Sequence, residues 1–309
     1  MVADYITNQL WTEEQEAYVD SRGLSTEVCR NVLSMGVVPN YDAMYQMLRE
    51  TFSAVFLRDV GFGRAGMFSP NQIIFVIKDD TGLPVGFISR DITWEAKKAA
   101  YVEAGSSGRP PRKYDSSSDK NRLFFKRKLL FGLDLCVAAG DTELYVFEGQ
   151  FDWATAVASG LTNSVALGGS SLTPEHIALF RKHGVDTITL VMDGDEVGQQ
   201  TLEKLLVGEG DTPGMLTTAS FLRPFVVNLP EGEDPSSYIV THGVEKFTSL
   251  QRQDSFEWAL NRQDPQADPI KACETMLPFI LREPNFICRE GMVLTLSELT
   301  GLSVDGIQN

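Results

Sequence analysis

The most regular pattern of apolar and polar positions runs from residue 144 to residue 228. Leu144-Tyr145-Val146-Phe147 reads as a buried strand, 151–159 as a helix, and Ser164-Val165-Ala166-Leu167 as a second strand. Residues 174–183 follow as a helix, with Thr173 as N-cap and Pro174 at its first position. Thr187-Ile188-Thr189-Leu190-Val191-Met192 predicts a strand, 196–207 a helix, and Phe225-Val226-Val227-Asn228 another strand. Strands alternating with helices imply a parallel sheet covered on both faces.

Either side of this block the pattern changes. Residues 4–60 read as helical, with Thr12 capping an acidic first turn of Glu13, Glu14 and Glu16. Ile73–Ile77 and Val85–Ile88, separated by Asp79-Asp80-Thr81-Gly82, predict a hairpin. Residues 104–119 are rich in Gly, Ser and Pro and read as a loop, and from about 243 onward the pattern is helical. The fold expected is α/β: a mixed N-terminal subdomain over 1–140, a central Rossmann-like parallel sheet over 141–242, and a helical subdomain over 243–309. No internal repeat is present.

Composition narrows the class. The chain has 309 residues, of which 43% are apolar and 22% charged, as in ordinary globular domains, so disorder is excluded as the dominant state. No uninterrupted apolar run approaches the ~18 residues of a membrane span. The first residues lack the basic-then-apolar pattern of a signal peptide, so a cytoplasmic location is expected. Cys29, Cys136, Cys273 and Cys288 form no C-x-x-C pair and only three histidines accompany them, which argues against zinc and for reduced core thiols.

The net charge of −15 argues against indiscriminate nucleic-acid binding. Its distribution is uneven. Residues 96–128 hold ten Lys/Arg (Lys97, Lys98, Arg109, Arg112, Lys113, Lys120, Arg122, Lys126, Arg127, Lys128) against Glu103, Asp115 and Asp119, a net of +7. Such asymmetry points to a partner-binding strip.

The acids carry the chemistry. Glu148-Gly149-Gln150-Phe151-Asp152 follows one predicted strand, and Asp193-Gly194-Asp195-Glu196-Val197-Gly198 follows another. Open parallel sheets bind ligands beyond the carboxyl ends of their strands, so Glu148, Asp193 and Asp195 can converge there. Clustered carboxylates repel and persist at low cost only around a cation, and oxygen-only ligands favour Mg²⁺ or Mn²⁺. A single Asp-Gly would be read as a solvated turn; two acidic-Gly motifs at matched strand ends favour a metal site. Gly61-Phe62-Gly63-Arg64-Ala65-Gly66 matches G-x-G-x-x-G, but it does not open a helix after a strand, so a dinucleotide site is rejected.

The paired motifs resemble the TOPRIM fold in its primase version, E-G-x-x-D with D-G-D-x-x-G. Arg22-Gly23-Leu24-Ser25, the hairpin from Asn71 to Arg90, Lys113-Tyr114, Phe124-Phe125-Lys126 with Phe131-Gly132-Leu133, Ala166-Leu167-Gly168 through Phe180, and Leu229-Pro230-Glu231-Gly232-Glu233-Asp234-Pro235 extend the likeness. Nearly the whole chain is thus similar to the RNA-polymerising core of DnaG-type primases. It departs at Ser236, where the family has a further Asp, and at Ser116-Ser117-Ser118, where Asn-Ser-Pro is usual. Neither the N-terminal zinc module nor room for a helicase-binding domain is evident, as in a shortened or compact, phage-type primase.

The resemblance implies a DNA-dependent RNA primase that makes short RNA primers on single-stranded DNA from ribonucleoside triphosphates. Glu148, Asp193 and Asp195 would be the catalytic, metal-holding acids, with Asp152 and Asp234 as outer members. Arg22, Arg90, Lys113 and Lys126 would line a groove for template or nucleotide. A replicative helicase and a zinc-binding module in trans are implied partners, in a bacterial or phage-infected cytoplasm. The alternatives are a TOPRIM-type metal-dependent nuclease and a catalytically inactive nucleic-acid-binding module.

Overall fold

The structure is a computed structural model that describes residues 1–63, 66–118, 124–210 and 212–308. Asp119, Lys120 and Arg122 of the basic window, and Arg64 and Ala65 of the glycine motif, lie outside these residues. The chain divides into two compact units: residues 1–135 with 154–162, and residues 136–153 with 163–309.

The first unit is built on an antiparallel sheet of β1 (Met35–Gly36), β2 (Gln72–Lys78), β3 (Pro84–Asp91) and β4 (Tyr114–Ser116), in that order. The predicted hairpin is β2–β3, turned at Asp79, whose carboxylate accepts the N–H groups of Thr81 and Leu83. Alternation along β2 decides which face each side chain takes. Ile74 and Val76 join Ile6, Met44, Leu48, Leu57, Phe68 and Phe87 in one core. Phe75, on the opposite face, meets Phe131 edge-on at 6.2 Å between centroids. Gly86 leaves room for the buried Phe124 ring, which a Cβ there would strike.

The expected helices form over Val2–Thr7, Glu13–Asp20, Thr26–Asn31, Tyr41–Arg49 and Ala54–Asp59. Thr12 caps the second of these, its hydroxyl accepting the N–H of Gln15. Two features depart from the sequence reading. Tyr114–Ser116, expected as loop, pairs with β3, and a helix spans Trp94–Glu103 between β3 and β4.

The second unit holds β5 (Glu143–Phe147), β6 (Ser164–Ala166), β7 (Thr187–Val191), the short pair β8 (Gly208–Glu209) and β9 (Thr212–Pro213), β10 (Arg223–Val227) and β11 (Arg252–Asp254). The main sheet runs β11-β10-β7-β5-β6; its four inner-sequence strands are parallel, as expected. β11 is an antiparallel edge drawn from the segment expected to be wholly helical. Leu144, Val146, Phe147, Val165, Ile188, Leu190, Val191, Val226 and Val227 are buried, so both sheet faces are covered. Thr173 caps the helix Pro174–Lys182 as predicted. The thiol expectation needs one correction: Cys29, Cys136 and Cys273 are buried, but Cys288 is exposed on the helix Phe286–Thr300. Among the described residues no helix is long and apolar enough to cross a membrane.

Candidate functional site

Strand order places the acids. From β5 the chain crosses to β6 on one side, then to β7 on the other. Parallel sheets bind ligands at such a reversal, where the two crossovers leave a crevice. β5 and β7 are direct neighbours, with Phe147 opposite Val191. Neighbouring strands lie about 4.8 Å apart. Glu148 and the Met192-Asp193 step therefore leave the sheet side by side.

Glu148 is half-buried, whereas Asp193 and Asp195 are exposed. Burial pushes the Glu148 carboxyl up, and the charges of Asp193 and Asp195 push it further. The structure thus brings these three acids into one electrostatic group. Asp195 also caps the helix Glu196–Leu206: its Oδ1 accepts the Gly198 N–H at 2.8 Å. Asp152 folds back over Gly149, where a Cβ would strike its Oδ2. Asp234 caps the helix Pro235–His242, accepting the Ser237 N–H at 2.9 Å. Its loop reaches the Asp193–Asp195 turn through the backbone, for the Gly194 N–H donates to the Glu233 carbonyl at 2.8 Å.

The donor set fits a hard divalent cation. Every candidate ligand atom is a carboxylate oxygen, and the Glu148 carboxyl stands in a field that positive charge would relieve. Among the described residues no group of three or more His, Cys, Asp or Glu side chains is arranged so that it could hold a metal ion.

The basic residues belong to the first unit. Arg22 and Arg90 each lie 5.8 Å from the Tyr18 ring centroid. Arg90 also stands over Tyr114 at 5.2 Å and Trp94 at 5.8 Å, and Lys113 lies 5.4 Å from Trp94. Arg22, Arg90 and Lys113 are therefore gathered by three aromatic rings. Lys126 is exposed on the one-turn helix Lys126–Lys128, behind the buried Phe124. Tyr18 and Trp94 were not legible as site residues. The only signal was an aromatic just ahead of the Lys97-Lys98 pair.

A Toprim-like family matches residues 145–239. The DNA primase of Chlamydia pneumoniae is 27% identical over 240 residues, 76% of this chain and 37% of that protein. The DNA primase of Staphylococcus aureus is 32% identical over 192 residues, 61% of this chain and 28% of that protein. The alignments thus span about a third of those curated relatives. Among solved structures, the zinc-binding and RNA polymerase domains of the Aquifex aeolicus primase superpose with a TM-score of 0.76 at 22% identity, covering 99% of this chain and 72% of that one. The RNA polymerase domain of Mycobacterium tuberculosis primase DnaG gives 0.73 at 21% identity, covering 96% of each chain. A DnaG primase catalytic domain bound to ssDNA gives 0.74 at 23% identity, covering 99% of this chain and 95% of that one. The chain has the fold of the DnaG-type primase catalytic core, with its paired acidic motifs inside a Toprim-like domain.

Proposed function

We propose that this chain is the RNA-polymerising core of a DNA primase, joining ribonucleotides on a single-stranded DNA template. The observation that carries this reading is the exit of Glu148 and Asp193 from neighbouring parallel strands, with Asp195 two residues on. The solved relative bound to ssDNA supports the choice of template.

In this reading Glu148, Asp193 and Asp195 hold a divalent cation, Mg²⁺ or Mn²⁺, with Asp152 and Asp234 as outer members. When bound, the ion lowers the pKa of the attacking 3′-hydroxyl and offsets charge on the departing pyrophosphate. Asp195 is oriented by its own helix cap. Arg22, Lys113 and Lys126 bind template phosphates or the nucleotide triphosphate. Arg90, expected beside them, is 3% exposed and enclosed by rings, so it backs that surface rather than meeting a phosphate itself. A helicase and a zinc-binding module in trans are proposed partners on the family resemblance alone.

The test supplies the chain with ssDNA, labelled ribonucleotides and Mn²⁺ or Mg²⁺. RNA product supports the reading. Template fragments would instead establish a nuclease, and neither product would establish a binding module.

A further inference from the structure

The helix Trp94–Glu103 has no place in any core. It contains no buried residue, and Val102 on it is 68% exposed. A helix with no fully buried residue is held only weakly by the hydrophobic effect. Polar pins hold it instead. Asp91 accepts the Thr93 N–H at 2.9 Å and the Lys97 ammonium at 2.5 Å. The Trp94 indole N–H donates to the Pro111 carbonyl at 3.0 Å, and the Tyr101 hydroxyl donates to the Gly108 carbonyl. The segment between β3 and β4 is thus a strap tied down at both ends.

What the strap displays is one aromatic ring among cations. Trp11, Trp153 and Trp258 are 8%, 3% and 4% exposed, whereas Trp94 is half-buried at the surface. Lys98 lies 4.8 Å from its ring centroid, Lys113 5.4 Å and Arg90 5.8 Å. A second observation concerns Arg90. Its Nε and Nη1 are buried and have no hydrogen-bond partner among the described residues, although guanidinium donors buried in proteins are almost always paired. Such a cost is kept where the charge is used, and here the guanidinium backs the surface that carries Trp94. Lys98 and Lys113 are long exposed chains that can swing from the ring to a phosphate.

We propose that Trp94 is a base-stacking platform for single-stranded nucleic acid, with Lys98 and Lys113 taking the flanking phosphates. This deepens the primase reading and rests on it for the identity of the strand as template. Aromatic stacking with adjacent cations is how single strands are held without sequence preference. An acidic protein partner would use the cations and leave the ring idle, so ring and cations together favour a base-bearing polyanion.

The experiment titrates the full chain with an unlabelled mixed-sequence deoxyoligonucleotide and follows tryptophan emission. Since the other tryptophans are buried, the expected result is quenching that disappears in Trp94→Leu. Affinity for a fluorescein-labelled copy should fall about five- to hundredfold in Trp94→Leu, the range of one lost stacked base. It should be largely restored in Trp94→Phe, with far-UV circular dichroism showing that both variants fold. Lys98→Gln should lower the slope of log affinity against log salt by about 0.7, as for one phosphate contact on a single strand. Equal binding by Trp94→Leu and wild type, no binding by wild type, or equal quenching by polyglutamate would each overturn the proposal. If wild type makes RNA and Trp94→Leu binds normally, the platform fails and the primase reading stands. If the oligonucleotide quenches Trp94 but no RNA forms, the platform stands and the polymerase reading fails.

Discussion

Gly194 donates its backbone N–H to the carbonyl oxygen of Glu233 at 2.8 Å. The bond joins the turn that carries Asp193 and Asp195 to the loop that ends at Asp234. The approach is close: a Cβ on Gly194 would strike the Pro230 carbonyl oxygen and stand 3.0 Å from that of Leu229. Gly194→Ala must therefore part the two loops. The expected cost is about 1–3 kcal/mol of stability, as for overpacking elsewhere. Displacing the acids by about 1 Å should lower RNA synthesis roughly a hundredfold. Thermal melting and a primer-synthesis assay measure the two effects separately.

Glu148 makes a prediction whose sign is set by its surroundings. Its carboxyl is raised by burial and by Asp193 and Asp195. A raised carboxyl contributes stability below its unfolded value and loses it as pH rises through the folded value. The metal-free chain should accordingly lose stability as pH climbs out of the ordinary carboxylate range. Glu148→Gln should flatten that loss, raising the melting temperature of the metal-free chain at neutral pH. The same variant should lose at least about a hundredfold in synthesis, since a metal ligand is worth several kcal/mol. Mn²⁺ should raise the melting temperature of wild type more than that of the variant.

How much of this was legible in the sequence depended on the range of the interactions. The β2–β3 hairpin and the caps Thr12 and Thr173 are local, and their signals are local. The position of Glu148 and Asp193 at strand ends was legible because each follows a strongly apolar strand. That β5 lies beside β7 was not, because pairing between strands about forty residues apart leaves no mark in either one. β11 illustrates the same limit. Arg252-Gln253-Asp254 is wholly polar, and it becomes a strand only because β10 offers an unpaired edge. The strap helix escaped notice because it has no fully buried residue, so apolar periodicity had little to report.

Asp91 has the opposite pH behaviour to Glu148. Burial works against its ionisation, but hydrogen bonds from Lys97 and Thr93 outweigh that and hold the carboxyl below its usual range. A depressed carboxyl contributes stability above its unfolded value and loses it as pH falls through the folded value. The strap should therefore loosen only in acid. Asp91→Asn should loosen it at neutral pH, seen as faster amide exchange over residues 94–103 with protection in β2 and β3 unchanged.

Lys113 offers a test of the basic surface that is independent of the acids. It is exposed beside Trp94 and follows a strand register that fixes its backbone, because the Asp91 N–H donates to the Lys113 carbonyl at 3.1 Å. Lys113→Gln should weaken single-strand binding at low salt and leave it nearly unchanged at high salt. The slope of log affinity against log salt should fall by about 0.7. An unchanged slope would place the phosphate path elsewhere on the unit.

Arg262 extends the argument to the helix that Asp195 caps. Its Nη2 lies 3.0 Å from Glu196 Oε1 and 3.7 Å from Glu203 Oε2, so one guanidinium grips the first and third turns of the helix Glu196–Leu206. Gln263 adds a hydrogen bond to Glu203 at 3.3 Å. The Arg262 hydrogen bond and charge hold the Glu196 carboxyl below its usual range. Glu196 is next to Asp195, so without Arg262 its charge would be uncompensated beside the proposed metal acids. As an exposed pair, the bridge contributes little to global stability, and Arg262→Met should scarcely change the melting temperature. It should change the metal dependence of synthesis, because a released Glu196 can compete for the cation and because the cap of Asp195 loses its brace. The Mg²⁺ concentration for half-maximal rate should shift several-fold while the nucleotide KM stays constant. Combining Arg262→Met with Glu196→Gln separates the two causes. Recovery of the wild-type metal dependence would show that the stray charge mattered, and no recovery would show that the brace did. An Arg262→Met enzyme with unaltered metal dependence would mean that the cap holds Asp195 without help from the C-terminal helices.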